Sequence, residues 1–344
     1  MKIAFIILLL VSSIASAAKY AGEFLMFNPD VRSMSMGMTG VCETSSVGAF
    51  HKNPASIAFL KDLSVSTQYS SIFGSVSDNL AYYHYAGIVV PYKSLDAAIG
   101  FNWIRLAVDD IPYFPDYSDV DRWKKIEENN GEPYNPDGNN YFSDREDAFF
   151  ISIAKRIKTE LDLGWAFFTF PLDISAGFNF KYINIALADR SATGFGFDGG
   201  LICLVDINKV SSIRGLNPIK LGFSITDFNK TGISWSDTAQ DAIPIRIRTG
   251  AEYVFPLKFI KTDITTSYDF HYETEIENSV DHWGLELKWF DMISLRIGTY
   301  DSIVTYGGGV SYLGFSLDYG FRDSDLGAVN KISLSYNFND LLDF

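Results

Sequence analysis

The stretch His282-Trp283-Gly284-Leu285-Glu286-Leu287-Lys288-Trp289 decides how this chain is read. Trp, Leu, Leu and Trp fall on one side of a two-residue repeat, and His, Gly, Glu and Lys on the other. Successive side chains of a β-strand point to opposite faces, so this is a strand with one apolar and one polar face. The same alternation runs through Gly314-Phe315-Ser316-Leu317-Asp318-Tyr319-Gly320-Phe321-Arg322 and Lys331-Ile332-Ser333-Leu334-Ser335-Tyr336-Asn337-Phe338. It also interleaves Arg246, Arg248, Gly250 and Glu252 with Ile247, Thr249, Ala251, Tyr253 and Phe255.

Alternation alone fits two architectures. In a secreted or periplasmic β-sandwich the polar face meets water and the apolar face meets a second sheet. In a membrane barrel the apolar face meets lipid and the polar face lines a closed interior. Aromatic residues near strand ends favour the barrel, because their amphipathic rings suit the headgroup level: Trp283 with Trp289, Tyr253 with Phe255, Tyr268 with Phe270, Tyr336 with Phe338. Run length favours it too. Many runs span about 9–13 residues, near the 9–11 of a tilted membrane strand and above the 5–6 of a soluble one. Candidate strands fall at 63–72, 80–91, 96–107, 147–157, 173–185, 195–206, 218–228, 243–255, 260–272, 281–290, 292–300, 303–312, 313–322 and 329–338. The expected fold is therefore all-β, a transmembrane antiparallel β-barrel of about fourteen strands, an even number as single-chain bacterial barrels have.

Composition agrees. The 344 residues are 47% hydrophobic and 15% aromatic, an average that hides lipid-facing and interior-facing positions in alternation. A net charge of −14 argues against nucleic acid as a partner, since a phosphate backbone calls for a basic face. After the N-terminus no apolar run reaches the 18 residues that a membrane helix needs. Lys2, the apolar stretch Ile3–Val11 and Ala15-Ser16-Ala17 read as a signal peptide over 1–17, whose removal takes the charge to −15. Cys42 and Cys203 are expected as two unpaired, sheltered thiols.

Two segments break the strand rhythm. Residues 18–61 are rich in Met and Ser and precede the first strand, leaving the barrel as 62–344. Residues 109–147 hold twelve acids against four bases, interleaved with Tyr113, Tyr117, Trp123, Tyr134 and Tyr141. So long an acidic excursion between strands is expected as an extracellular loop with a protein-contact surface. Gly194-Phe195-Gly196-Phe197-Asp198-Gly199 matches G-x-G-x-x-G, but a strand-like run follows where a nucleotide site needs a helix. Alternating Gly and Phe instead suits a barrel strand facing a crowded interior. His51, His84, His271 and His282 are isolated in sequence and show no metal spacing, so no metal, cofactor or enzymatic site is expected. A polar interior would carry Arg246, Arg248, Glu252, Glu286 and Arg296, mixed in sign and so expected to pair with one another or with the N-terminal segment.

The segment Val31-Arg32-Ser33-Met34-Ser35-Met36-Gly37-Met38-Thr39-Gly40, followed by Ala49-Phe50-His51-Lys52-Asn53-Pro54-Ala55, resembles the N-terminal region of the PorV/PorQ proteins and the wider FadL-like outer-membrane family. The order of Arg248-Thr249-Gly250, Gly284-Leu285-Glu286, Leu295-Arg296-Ile297-Gly298 and the closing Ile332–Tyr336 is similar as well. Ser56-Ile57 stands where Gly-Leu is common, and His51-Lys52 where an aromatic residue is. The resemblance implies an outer-membrane barrel whose residues 18–61 fold inside as a plug, or hatch, carrying Arg32, Gly37, Asn53, Pro54 and Ala55. It implies uptake of small hydrophobic molecules such as fatty acids, or a secretion-system component that binds cargo or partner proteins. Membrane lipid is a partner on either count.

Overall fold

The computed structural model describes residues 22–75, 78–114, 140–162, 164, 169–206, 216–275, 277–323 and 327–338. The signal-peptide expectation and residues 115–139 of the acidic excursion lie outside them.

Among the described residues, sixteen strands form one antiparallel sheet: β1 Leu63–Ser75, β2 Asp78–Tyr92, β3 Ala97–Pro112, β4 Tyr141–Asp162, β5 Thr169–Leu187, β6 Arg190–Val205, β7 Ile219–Thr226, β8 Gly232–Trp235, β9 Gln240–Ala242, β10 Arg246–Leu257, β11 Thr262–Glu273, β12 Asn278–Trp289, β13 Ile293–Tyr300, β14 Ile303–Tyr312, β15 Phe315–Arg322 and β16 Val329–Phe338. Fourteen of them close a ring in chain order, with β10 following β7. The ring shuts where β1 meets β16, from Leu63 opposite Phe338 to Ser71 opposite Asn330. Closure leaves no open edge in the ring, and it rules out the two-sheet sandwich. The remaining strands, β8 and β9, form a small hairpin on β6, with Ala192 opposite Trp235. The alternation had not revealed it, because three or four residues among Ser, Asp and Thr carry no periodic signal.

The ring has two unlike ends. At one, most strands join through short turns, Lys93–Leu95, Lys258–Ile260, Phe290–Met292 and Leu313–Gly314, the longer 206–218 connection of β6 to β7 being the exception, and both barrel termini lie there. The other holds the 113–140 connection and the β8–β9 hairpin. Short turns mark the periplasmic side of bacterial barrels and long loops the outside.

Outward positions carry a broad apolar belt: Phe149, Ile151 and Ile153 on β4, Trp283, Leu285, Leu287 and Trp289 on β12, Leu295 and Ile297 on β13 are all exposed. Lipid hydrocarbon is the solvent that such a belt fits. Phe195 and Phe197 point outward while Gly194 and Gly196 meet Ile233, Lys181 and Thr231 inside, so the G-x-G-x-x-G match is strand pleat. Cys42 is buried and Cys203 half-exposed, and both are free thiols.

One boundary moves. The 109–147 excursion is shorter at both ends, since β3 runs on to Pro112 and β4 begins at Tyr141. Asp144, Glu146 and Asp147 are therefore strand residues. Asp147 accepts from Arg105 Nε and Nη2, both at 2.8 Å, and from Trp103 Nε1 at 2.8 Å. Ladder pairing to β3 and β5 holds these acids in regular backbone despite their low strand preference.

Candidate functional site

A fourteen-stranded ring encloses more space than its own inward side chains fill, and residues 22–61 occupy part of it. Asp30 caps the short helix Val31–Ser35, its carboxylate accepting from Arg32 N at 3.0 Å. The helix carries Arg32 to the wall, where Nη2 and Nε grip both oxygens of Glu286 at 2.9 and 3.1 Å. Arg32 Nη1 also meets Glu43 and stands 3.8 Å from Glu252. Arg296 adds Nε on Glu286 at 2.5 Å and Nη1 on Asp318 at 2.6 Å. Lys220 closes the set, reaching Glu252 at 2.8 Å and Thr44 Oγ1 at 2.6 Å. Buried charge is tolerated only in such paired, hydrogen-bonded sets.

Glycines on the wall make room for this segment. A Cβ at Gly284 would meet Met36 O at 2.5 Å, and one at Gly298 would collide with Met36 and Gly37. Gly37 itself has φ 68°, a conformation costly for other residues. Its N–H donates to Thr305 Oγ1 at 2.8 Å, and its carbonyl accepts from His282 Nδ1 at 2.8 Å. Gly177, Gly200 and Gly222 form a second bed, under Asn53-Pro54-Ala55 and Val41. There Asn53 Oδ1 caps the short helix Pro54–Phe59 by accepting from Ala55 N at 3.1 Å. Asn53 Nδ2 donates to Val41 O at 2.8 Å and to Leu201 O on β6 at 3.0 Å. Proline at the first helical position gives up no hydrogen bond, and Ser175 Oγ donates to Ala55 O at 2.8 Å.

Of the residues singled out from sequence, Arg32, Glu252, Glu286 and Arg296 thus share one ionic cluster, while Gly37, Asn53, Pro54 and Ala55 sit on the two glycine beds. Arg246 and Arg248 are placed elsewhere, toward the long-loop end. Arg246 pairs with Glu273 at 2.8 Å, and Arg248 Nη1 donates to Thr226 Oγ1 at 3.3 Å.

Around Arg248 lies a cavity of about 670 Å³. Phe24, Leu25, Met26, Phe27, Met38, Leu106, Val280 and Tyr300 supply apolar wall, and the polar lining mixes bases and imidazoles (His51, Lys52, Arg248, His271, His282, Arg322) with the carboxylates Glu23, Glu146, Glu273 and Asp301 and the amides Asn28 and Asn278. Lys52 donates to Met38 O at 2.6 Å. Burial, reinforced by the Arg248 charge, pushes its ammonium down to about 7. Burial and then Arg248 likewise push the His51 imidazole well below its ordinary range. Burial raises the Glu23 carboxyl against the opposing pull of Arg246. A second cavity, about 450 Å³, opens at the short-turn end and is lined by Ser45, Ser46, Ser294, Ser316, Ser333, Asp318 and the Arg32 cluster. No residue lines both, because the segment from Val31 to Lys52 stands between them.

Sequence reasoning missed the upper cavity. Phe24-Leu25-Met26-Phe27 is a visible apolar cluster in an otherwise small-residue segment, and that was the available signal. His271 and His282 are eleven positions apart, yet their rings lie 6.2 Å apart across β11 and β12. Only the strand register brings them together.

No family model matches the chain, and no curated protein matches it. Among solved structures, a TodX deltaS2S3 mutant described as a monoaromatic hydrocarbon channel superimposes with a TM-score of 0.50 at 13% identity, covering 90% of this chain and 98% of its own. The Pseudomonas putida toluene transporter TodX gives 0.47 at 11% identity, over 89% of this chain and 96% of its own. The Ralstonia pickettii toluene transporter TbuX gives 0.46 at 12%, over 91% and 98%. The first of these likenesses is one of fold: this chain is a closed fourteen-stranded antiparallel barrel of the same architecture.

Proposed function

We propose that the chain is a FadL-like outer-membrane barrel that takes up a small hydrophobic molecule from outside, with residues 22–61 acting as its plug. The observation that carries this is the cavity at the long-loop end, apolar over much of its wall and bounded below by the N-terminal segment. A pocket of this size and lining suits a small apolar molecule with a few polar contacts. Similarity of fold to a monoaromatic hydrocarbon channel supports it. The plug blocks straight passage, so transfer requires a shift of the segment that Arg32 and Asn53 hold in place. The finer kinship, a PorV/PorQ protein binding secretion cargo, rests on motif order and on an acidic loop whose residues 115–139 lie outside the described ones. Uptake has a cavity behind it.

The test compares cells with and without the gene. Uptake of labelled toluene and of a labelled long-chain fatty acid should fall in the deletion strain and return with the wild-type gene. It should not return with Val280→Asp, which puts a charge on the apolar wall. Unchanged uptake of both compounds, with lost release of secreted proteins, would replace uptake by the secretion role.

A further inference from the structure

The fully described turns at the two ends differ in a way that backbone geometry does not ask for. At the long-loop end the tight turns are Ala188–Asp189 and Asp301–Ser302. At the short-turn end, Leu95 sits in 93–96, Phe259 and Ile260 in 258–261, Phe290 and Met292 in 290–292, and Leu313 at 313–314. Phe259 is 84% exposed, Leu313 75% and Leu95 60%. Phe290 and Asp291 have φ of 52° and 57°, Leu313 and Gly314 of 49° and 82°, and Asp301 and Ser302 of 44° and 64°. This is the primed hairpin geometry, which favours Asn, Asp and Gly and disfavours bulky side chains. Phe290 and Leu313 thus occupy a costly conformation while leaving large apolar surface uncovered by their own chain.

Three of these turns are neighbours around the ring, joining β10 to β11, β12 to β13 and β14 to β15. They continue the lipid-facing belt directly, through exposed Phe255, Trp289, Ile293, Tyr312 and Phe315. The strands there are short. β13 and β15 have eight residues each, which at a tilt near 40° rise only about 20 Å, against an apolar band of about 25 Å. Lysines flank the tips: Lys258 and Lys261 bracket Phe259-Ile260, Lys93 precedes Leu95, and Lys261 Nζ stands 5.2 Å from the Phe290 ring centroid. Apolar tips with flanking lysines match a phospholipid leaflet, tips among acyl chains and ammonium groups at the phosphates, with exposed Asp291, 3.7 Å from Lys288 Nζ, kept at headgroup level.

We infer that the turns 258–261, 290–292 and 313–314 form an arc inserted into the periplasmic phospholipid leaflet, which completes the membrane-spanning height of the short strands and seats the barrel at that depth. The experiment uses the full chain carrying Cys42→Ser and Cys203→Ser, with single cysteines at Phe259, Leu313 and, as a control at the other end, Ser302. Each is labelled with an environment-sensitive fluorophore and reconstituted in phosphatidylethanolamine/phosphatidylglycerol vesicles. Labels at 259 and 313 should emit blue-shifted and be quenched by doxyl lipids, while the label at 302 should be quenched by iodide. Iodide quenching at 259 and 313 without lipid quenching overturns the inference. So does exposure of both in vesicles combined with protection in native outer membranes, which would assign the arc to a protein partner. Leu313→Asn, which suits the positive φ of that turn, combined with Phe259→Ser should leave folding in detergent unchanged. It should slow insertion into the same vesicles several-fold, and an unchanged rate also overturns the inference.

Discussion

Asn53 is where the sequence motif and the wall are joined by single atoms. Its amide satisfies one helix cap and reaches three carbonyls, Val41 O within its own segment and Leu201 O and, at 3.4 Å, Phe223 O on the barrel. Asn53→Ala removes all four contacts and fits no donor in their place. We expect a loss of about 2 kcal/mol in docking of the N-terminal segment, read as faster amide exchange over residues 49–60 with the barrel still heat-modifiable on gels. Lys52, its neighbour, makes the docking pH-dependent. Docked, its ammonium is pushed down to about 7 by burial and by Arg248, with Asp269 and Asp30 pulling the other way. Released into water it returns to its ordinary value near 10.4. Between these values the released state binds more protons, so this contribution strengthens docking as pH rises from about 7 to 10. Exchange protection of the segment should climb across that window, and Lys52→Met should flatten the climb.

At the scale of elements, the wall and the N-terminal segment fit through absent side chains. Gly284 and Gly298 on β12 and β13 leave room for Met36-Gly37, as Gly177 and Gly200 on β5 and β6 do for Asn53-Pro54. Gly298→Val keeps a good strand former in β13 but drives its side chain into Gly37. The barrel should fold as before while limited proteolysis cuts within residues 30–45. Wild-type resistance in that variant would mean the close approach is unimportant. This pairing of elements was only half legible in the sequence. All fourteen barrel strands could be found from alternation, because the pleat turns one buried face and one lipid face into a period of two. The interior acids and bases followed from the same parity. What could not be read was which of them meet. Arg32 lies 254 positions from Glu286, and only the ring closure and the helix Val31–Ser35 bring them within 2.9 Å. The strand start at Tyr141 was hidden because charges at Asp144, Arg145, Glu146 and Asp147 mask the alternation.

For the whole molecule, apolar packing and buried ion pairs together hold the N-terminal segment in the ring. On the side of β2 to β6, Phe24, Phe50 and Ile57 pack with Tyr83, Tyr85, Ile104, Phe150 and Ile183 in an apolar core. Phe50 stands 5.1 Å from Phe150 and 6.2 Å from Tyr85, ring to ring. Ionic sets lie on both sides: Arg32, Glu286 and Arg296 toward β10 to β16, and Lys181 with Asp198 and Asp227 toward β5 and β6, beside Phe150. All of this depends on residues 22–61 closing the barrel. Conductance across a planar lipid bilayer measures that most directly. Wild-type protein should be nearly silent, and a folded variant lacking residues 18–61 should open a steady ion-conducting pore. A wild-type barrel that conducts steadily, or a folded deletion variant that stays silent, would contradict the account.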